Sequence, residues 1–167
     1  MKKAAIIVLL LIVNVACLRS GKTVSSMDLS NVVLPYIVDE AKVIDAGTEM
    51  QLEKRLARFR KQEDMDFAVV TISTIGEESA FDHSLKLARE RAASISNQND
   101  KGNLFLLVVV DDRKWHIQIS RNLEAKLTNE ILTELSSPMT ESFKDKRYGE
   151  GITKYVDAII AKLGTTD

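Results

Sequence analysis

Apolar residues run unbroken from Leu104 to Val110, stop at Asp111, Asp112 and Arg113, and resume in alternation, with Trp115, Ile117 and Ile119 separated by His116 and Gln118. The first run has the length and uniformity of a strand buried on both faces, and the second has the period of a strand covered on one. Together they predict a central β-hairpin whose turn is Asp111–Lys114. Phe67–Ser73 reads as a further strand. Helical spacing appears in four other places. Asp45 is placed to cap a helix with Leu52, Leu56 and Phe59 on one face, and Ser79 to Ile95 sets Phe81, Leu85, Ala88, Ala92 and Ile95 at helical intervals. Thr128 caps a third pattern carrying Ile131, Leu132 and Leu135, which Pro138 is expected to end or bend. The last holds Ile152, Tyr155, Val156, Ile159, Ile160 and Leu163. Strands interleaved with helices plus one hairpin give an α/β class with a mixed sheet, a three-layer α/β/α sandwich around the hairpin.

The N-terminal stretch has a different pattern. Lys2 and Lys3 precede an apolar segment, Ala4 to Val13, that is short for a membrane span, and Ala16 then precedes Cys17, the only cysteine. This is the form of a bacterial lipoprotein signal peptide, residues 1–16, cut before a Cys17 that carries lipid. Asn14 departs from the form, since an aliphatic residue is usual three positions before the cysteine. Ordinary signal-peptidase cleavage near Ala16 and a retained short anchor are therefore the other two readings, with lipidation the expectation adopted. A lipidated cysteine needs no disulfide partner. Residues 18–31 are rich in Ser, Gly, Thr and Lys without periodicity, which predicts a flexible tether behind the lipidated cysteine and a single domain over residues 32–164.

Charge excludes one class of function. Without Lys2 and Lys3 the chain has 21 basic against 24 acidic side chains, a formal charge of −3, and no basic stripe with interleaved aromatics, so nucleic acid is not an expected partner.

Candidate chemistry starts at the hairpin turn, because loops beyond the carboxyl ends of parallel strands gather side chains above a sheet. Asp111 and Asp112 stand there, and Asp39 and Glu40 approach them if Tyr36–Ile44 packs alongside; the Asn99–Asp100 loop adds oxygens only by folding back. Carboxylates without thiolate or imidazole suit a hard cation, Ca²⁺ or Mg²⁺. The competing reading is that Asp-Asp-Arg-Lys is a solvated turn and Asp39 a turn cap. His83 and His116 have no metal-type companions and read as surface or outer-layer residues. Trp115 and Phe143 read as core, and Lys144, Lys146 and Arg147 as a small basic cluster, either a solvated loop or a contact for anionic headgroups.

Three segments, YIVDEAKVI at Tyr36–Ile44, the block from Lys101 to Glu124, and PMTESFKDKRYGEGI from Pro138, resemble the TPM domain family, which includes thylakoid-lumen phosphatase-like proteins and photosystem-repair factors. The resemblance covers nearly all of residues 32–164 and implies the same α/β sandwich. It also implies divalent-cation binding and acid phosphatase activity, found for some members, through acidic residues that match Asp39, Glu40, Asp111, Asp112 and Glu124. Two segments depart from the family pattern. Ser120-Arg121-Asn122-Leu123-Glu124 stands where many relatives read Gly-Tyr-Gly-Leu-Glu, and Asn99-Asp100-Lys101-Gly102-Asn103 replaces the usual Lys-Asp-Asn-Gly.

The expectation is therefore an exported, membrane-anchored module of the cell envelope, on its periplasmic or outer-surface face, that assists another envelope protein through its loop end and holds Ca²⁺ or Mg²⁺ as a structural aid. The alternative is a metal-dependent acid phosphatase using the same acids, with Arg113 or Arg121 holding phosphate. A structural envelope domain without a small ligand is a third reading.

Overall fold

The computed structural model describes residues 34–95 and 101–164. The leader, Cys17, the tether, and Asn99 and Asp100 lie outside the described residues. Chain order is β1 (Ile37–Asp39), α1 (Ala46–Glu63), β2 (Met65–Ile72), α2 (Ala80–Ser94), β3 (Gly102–Val109), β4 (Lys114–Ile119), a 3₁₀ turn (Arg121–Leu123), α3 (Asn129–Lys144) and α4 (Tyr148–Leu163). The caps follow from short polar side chains that accept from otherwise unpaired N–H groups: Asp45 from Thr48, Ser79 from Asp82, and Thr128 from Ile131.

The strands lie in the order β1-β2-β3-β4, with β1, β2 and β3 parallel and β4 antiparallel to β3. Alternation sorts their side chains onto two faces. Phe67, Val69, Leu104, Leu106, Val108 and Ile117 pack with α1, α3 and α4 in the main core, which also buries Leu56, Met139, Tyr155 and Ile159. Ala68, Phe105, Leu107 and Val109 point the other way, into a smaller core roofed by Leu87 and Ala88 of α2. The three-layer α/β/α sandwich expected from the sequence is the observed fold. Both parallel crossovers step the same way across the sheet, yet α1 and α2 lie on opposite faces. The two crossovers therefore have opposite hand, and one departs from the usual right-handed rule.

Three expectations need correction. First, of the α2 stripe Phe81, Leu85, Ala88, Ala92 and Ile95, Ala88 packs on the smaller core as its spacing implied, but Phe81 and Ala92 are exposed. Ser84 is its one fully buried residue, and Phe81 is 50% exposed. The helix is rotated because its polar groups have partners underneath. Arg91 pairs with buried Asp66 of β2 at 2.6 and 3.0 Å, and Ser84 Oγ donates to the Phe81 carbonyl and accepts from Gln118 Nε2. Second, β4 is covered on both faces, since Gln118 and His116 meet α2; the Phe81 and His116 rings stand edge-on, 5.3 Å apart. Third, Pro138 does not end α3, which continues to Lys144. α3 is held on both sides of the proline by buried Ser136, Met139 and Ser142. α4 approaches so closely that a Cβ on Gly151 would sit 2.9 Å from the Met139 carbonyl oxygen.

Candidate functional site

Parallel β1, β2 and β3 bring Asp39, Glu40, Ser73, Thr74, Asp111 and Asp112 to one end of the sheet, the carboxyl end. Two of the four acids there have defined structural duties. Asp39 accepts from the backbone N–H of Val43 at 3.2 Å, from Ile44 at 2.8 Å and from the Thr71 hydroxyl, so both oxygens cap the turn after β1. Asp112 accepts from the Thr74 hydroxyl at 2.8 Å and the Ile75 N–H at 3.0 Å, which ties the hairpin turn to the β2–α2 loop. Those hydrogen bonds, the Ile75 N–H first, hold its carboxyl below the usual aspartate range, with a smaller push from Lys114. Asp111 and Glu40 remain exposed. β1 and β3 flank β2, so the two acidic pairs sit on backbones separated by two strand spacings, about 10 Å.

Glu124 and Arg121 are elsewhere. β4 runs back along β3 from Lys114 opposite Val109 to Ile119 opposite Leu104, so the 3₁₀ turn that follows lies at the amino end of the sheet. At roughly 3.3 Å per residue, that is about 20 Å from Asp111. The Ser-Arg-Asn-Leu-Glu loop folds without the two glycines because neither Ser120 nor Asn122, which stand in their places, takes a positive φ. Ser120 and Asn122 bond back to the strand at Asn103 and Lys101, and Leu123 packs over Gly102, where a Cβ would sit 2.7 Å from its side chain.

The expected ligand set therefore does not fit a divalent cation. Among the described residues no three acidic, histidine or cysteine side chains gather into a group that would hold one. Two of the five carboxylates already accept from backbone N–H groups, and a third is at the far end of the sheet. Of the histidines, His83 pairs with Glu78 at 2.7 Å, and burial against α2 lowers the pKa of His116.

What the carboxyl end does present is a recess of ≈450 Å³ between the hairpin turn and the α3–α4 turn. Val110, Trp115, Phe143 and Tyr148 form its walls, and Arg113, Lys114, Lys144 and Lys146 its rim. An adjoining hollow of ≈460 Å³ shares Val110, Arg113, Lys146 and Tyr148 and reaches Val43 and Asp111. Trp115 and Phe143 pack against the main core, as the sequence implies, and are partly exposed toward this recess. Most of the basic cluster is neutralised locally. Lys144 pairs with Glu141 at 2.6 Å, and Arg147 with Asp145 at 2.8 Å and Glu150 at 2.6 Å. Among the described residues Arg113 and Lys146 have no acidic partner within salt-bridge distance.

The turns around this end share a backbone peculiarity. Among the described residues four non-glycine residues have positive φ, and three of them are bases at the carboxyl end: Lys42 at 55°, Arg113 at 52° and Lys146 at 59°. Lys146 occupies the left-handed position of a Schellman motif, with its own N–H bonded to the Phe143 carbonyl and the Arg147 N–H to that of Ser142, both at 3.0 Å. Arg113 closes the Val110–Arg113 turn, a place where glycine is usual. The sequence signal for this pair is negative: DDRK and KDKRY lack glycine or asparagine where their turns need one.

The profile of the TPM domain matches residues 37–162. The chain belongs to the TPM domain family. A search of curated proteins finds no match. Among solved structures, the N-terminal domain of a P. gingivalis protein is 28% identical, with a TM-score of 0.68 over 77% of this chain and 82% of that one. The BA42 protein of Bizionia argentinensis is similar in fold at 14% identity, with a TM-score of 0.61 over 72% and 81% of the two chains. The N-terminal domain of the cg2496 protein of Corynebacterium glutamicum aligns at 10% identity with a TM-score of 0.60, covering 80% of this chain and 82% of that one. This TPM domain therefore shares its α/β sheet with structures from three bacteria, while its acids are placed as described above.

Proposed function

We propose that this TPM domain is a membrane-tethered binding module of the cell envelope that engages another envelope protein through the carboxyl end of its sheet. The observation that supports a binding role over phosphatase chemistry is the division of the acids. Asp39 and Asp112 cap turns, Glu124 is about 20 Å away, and Asp111 and Glu40 are exposed on backbones two strand spacings apart, not set as a carboxylate pair for acid–base work. Anchoring rests on the sequence, through lipid on Cys17 and a tether over residues 18–31. No described helix is long and apolar enough to cross a membrane.

The test has two parts. Purified protein is assayed for p-nitrophenyl phosphate turnover with Mg²⁺ or Ca²⁺, beside Asp111→Ala and Asp112→Ala. The reading predicts no turnover attributable to these acids; activity abolished by both substitutions would establish the phosphatase instead. Cys17→Ser should move the protein from the membrane to the soluble fraction, and unchanged membrane retention would replace the lipid anchor with an uncleaved leader.

A further inference from the structure

We propose that the recess between the hairpin turn and the α3–α4 turn is a docking site for an acidic peptide segment of the partner. Arg113 and Lys146 would receive its carboxylates, and Val110, Trp115, Phe143 and Tyr148 an apolar side chain between them. The inference rests on the binding-module reading and adds the chemistry of the partner.

Shape and charge both support it. A volume of ≈450 Å³ is within the range of sites that enclose a ligand, and the walls are mostly aliphatic and aromatic with a few charges at the edge. The protein as a whole is slightly acidic, at a formal charge of −1, so two bases left without acidic partners at the rim of one recess form a local field against the background. Their neighbours show that pairing was available: Lys144 and Arg147, within three residues of Lys146, are bonded to Glu141, Asp145 and Glu150.

Backbone conformation supports the same conclusion. A left-handed residue with a side chain is disfavoured relative to glycine, and such strain is retained where a side chain serves a function. Here the strained positions around one recess are all bases, Arg113 and Lys146 at its rim and Lys42 beside Val43 in the adjoining hollow. Glycine would relax both turns and remove the two rim charges that have no acidic partner.

A peptide fits the placement better than a lipid surface. The described chain enters at Leu34–Pro35 and β1 runs from there toward the carboxyl end of the sheet, where the recess lies. The apolar walls also call for a side chain between the charges, which a headgroup layer does not supply.

Trp115 is the only tryptophan and lines the recess, so its emission reports occupancy directly. The full chain as purified from cells is titrated with a short synthetic peptide of Asp and Leu that lacks Trp and Tyr. The controls are the same peptide with Asn for Asp, and phosphatidylglycerol vesicles. The expected result is a saturable change with the acidic peptide alone, weakened at high salt, where the screening length falls to about 3 Å at 1 M. In Arg113→Gly/Lys146→Gly the dissociation constant should rise about tenfold or more while the melting temperature holds or increases, which separates lost charge from lost fold. The proposal is overturned if the acidic peptide gives no response, if the Asn peptide gives an equal one, or if the double variant binds as well as the wild type. A response to vesicles alone would assign the recess to a membrane surface. Phosphatase activity dependent on Asp111 and Asp112 would refute the underlying reading, whereas a silent recess without such activity would refute only the acidic-peptide chemistry.

Discussion

The two ends of the sheet carry nearly the same residue types and do different things with them. At the amino end, Arg121 and Glu124 sit on a 3₁₀ turn clamped to β3 by Leu123, Asn122 and Ser120, beside the buried Asp66–Arg91 pair. At the carboxyl end, Asp112 is similarly bonded, but Arg113 and Lys146 are held outward, without acidic partners, on disfavoured backbone. A closed end and an open end on one sheet show that charge composition alone does not make a site. What distinguishes them is that Arg113 and Lys146 stand at the rim of an apolar recess, whereas Arg121 and Glu124, equally without partners among the described residues, stand on or beside a clamped turn.

Mutations should expose the difference, most strongly at the closed end. Arg91 makes a bidentate bond to Asp66, donates to the Pro35 carbonyl at 2.7 Å and lies over the Tyr36 ring. Arg91→Ala leaves Asp66 buried and unpaired, and should lower unfolding free energy by about 3–5 kcal/mol in a denaturant titration. Gly102→Ala comes next, since its methyl would meet Leu123 at 2.7 Å; a loss of roughly 1–3 kcal/mol is expected by the same measurement.

Asp112→Asn probes one of the two carboxyl-end acids that are hydrogen-bonded in place. Its carboxyl is held below the ordinary aspartate value, so the carboxylate contributes stability above that value and loses it as pH falls through the lower folded-state value. Thermal melts should show wild type more stable than Asp112→Asn at neutral pH, with the gap closing in acid below about pH 4. A gap that persists unchanged in acid would mean that the Thr74 and Ile75 hydrogen bonds do not depend on the charge. Smallest of all, Arg121→Ala and Glu124→Ala should each change stability by no more than about 0.5 kcal/mol, because both side chains are exposed and make no bond at the amino end.

Much of the fold was legible because burial repeats with the period of each element. Leu104–Val110 announced the central strand, Trp115, Ile117 and Ile119 the inward face of β4, and Ile152 to Leu163 the core side of α4. The orientation of α2 was hidden, since its sheet-facing positions include Ser84 and Arg91, polar residues whose partners come from distant strands. The site was hidden for a topological reason. Glu124 is near Asp111 along the chain, but an antiparallel strand carries it to the other end of the sheet. Arg113 was singled out as an anion contact, yet its pairing with Lys146 across a recess depends on where the α3–α4 turn lands, and no local spacing encodes that.

The central claim is that the carboxyl end, and not the amino end, meets a partner. The most direct test places a benzophenone amino acid at position 111 or at position 124 of the full chain in living cells and compares the photo-crosslinks. The account predicts a discrete heavier adduct from position 111 and none from position 124; adducts from position 124 with none from position 111 would contradict it.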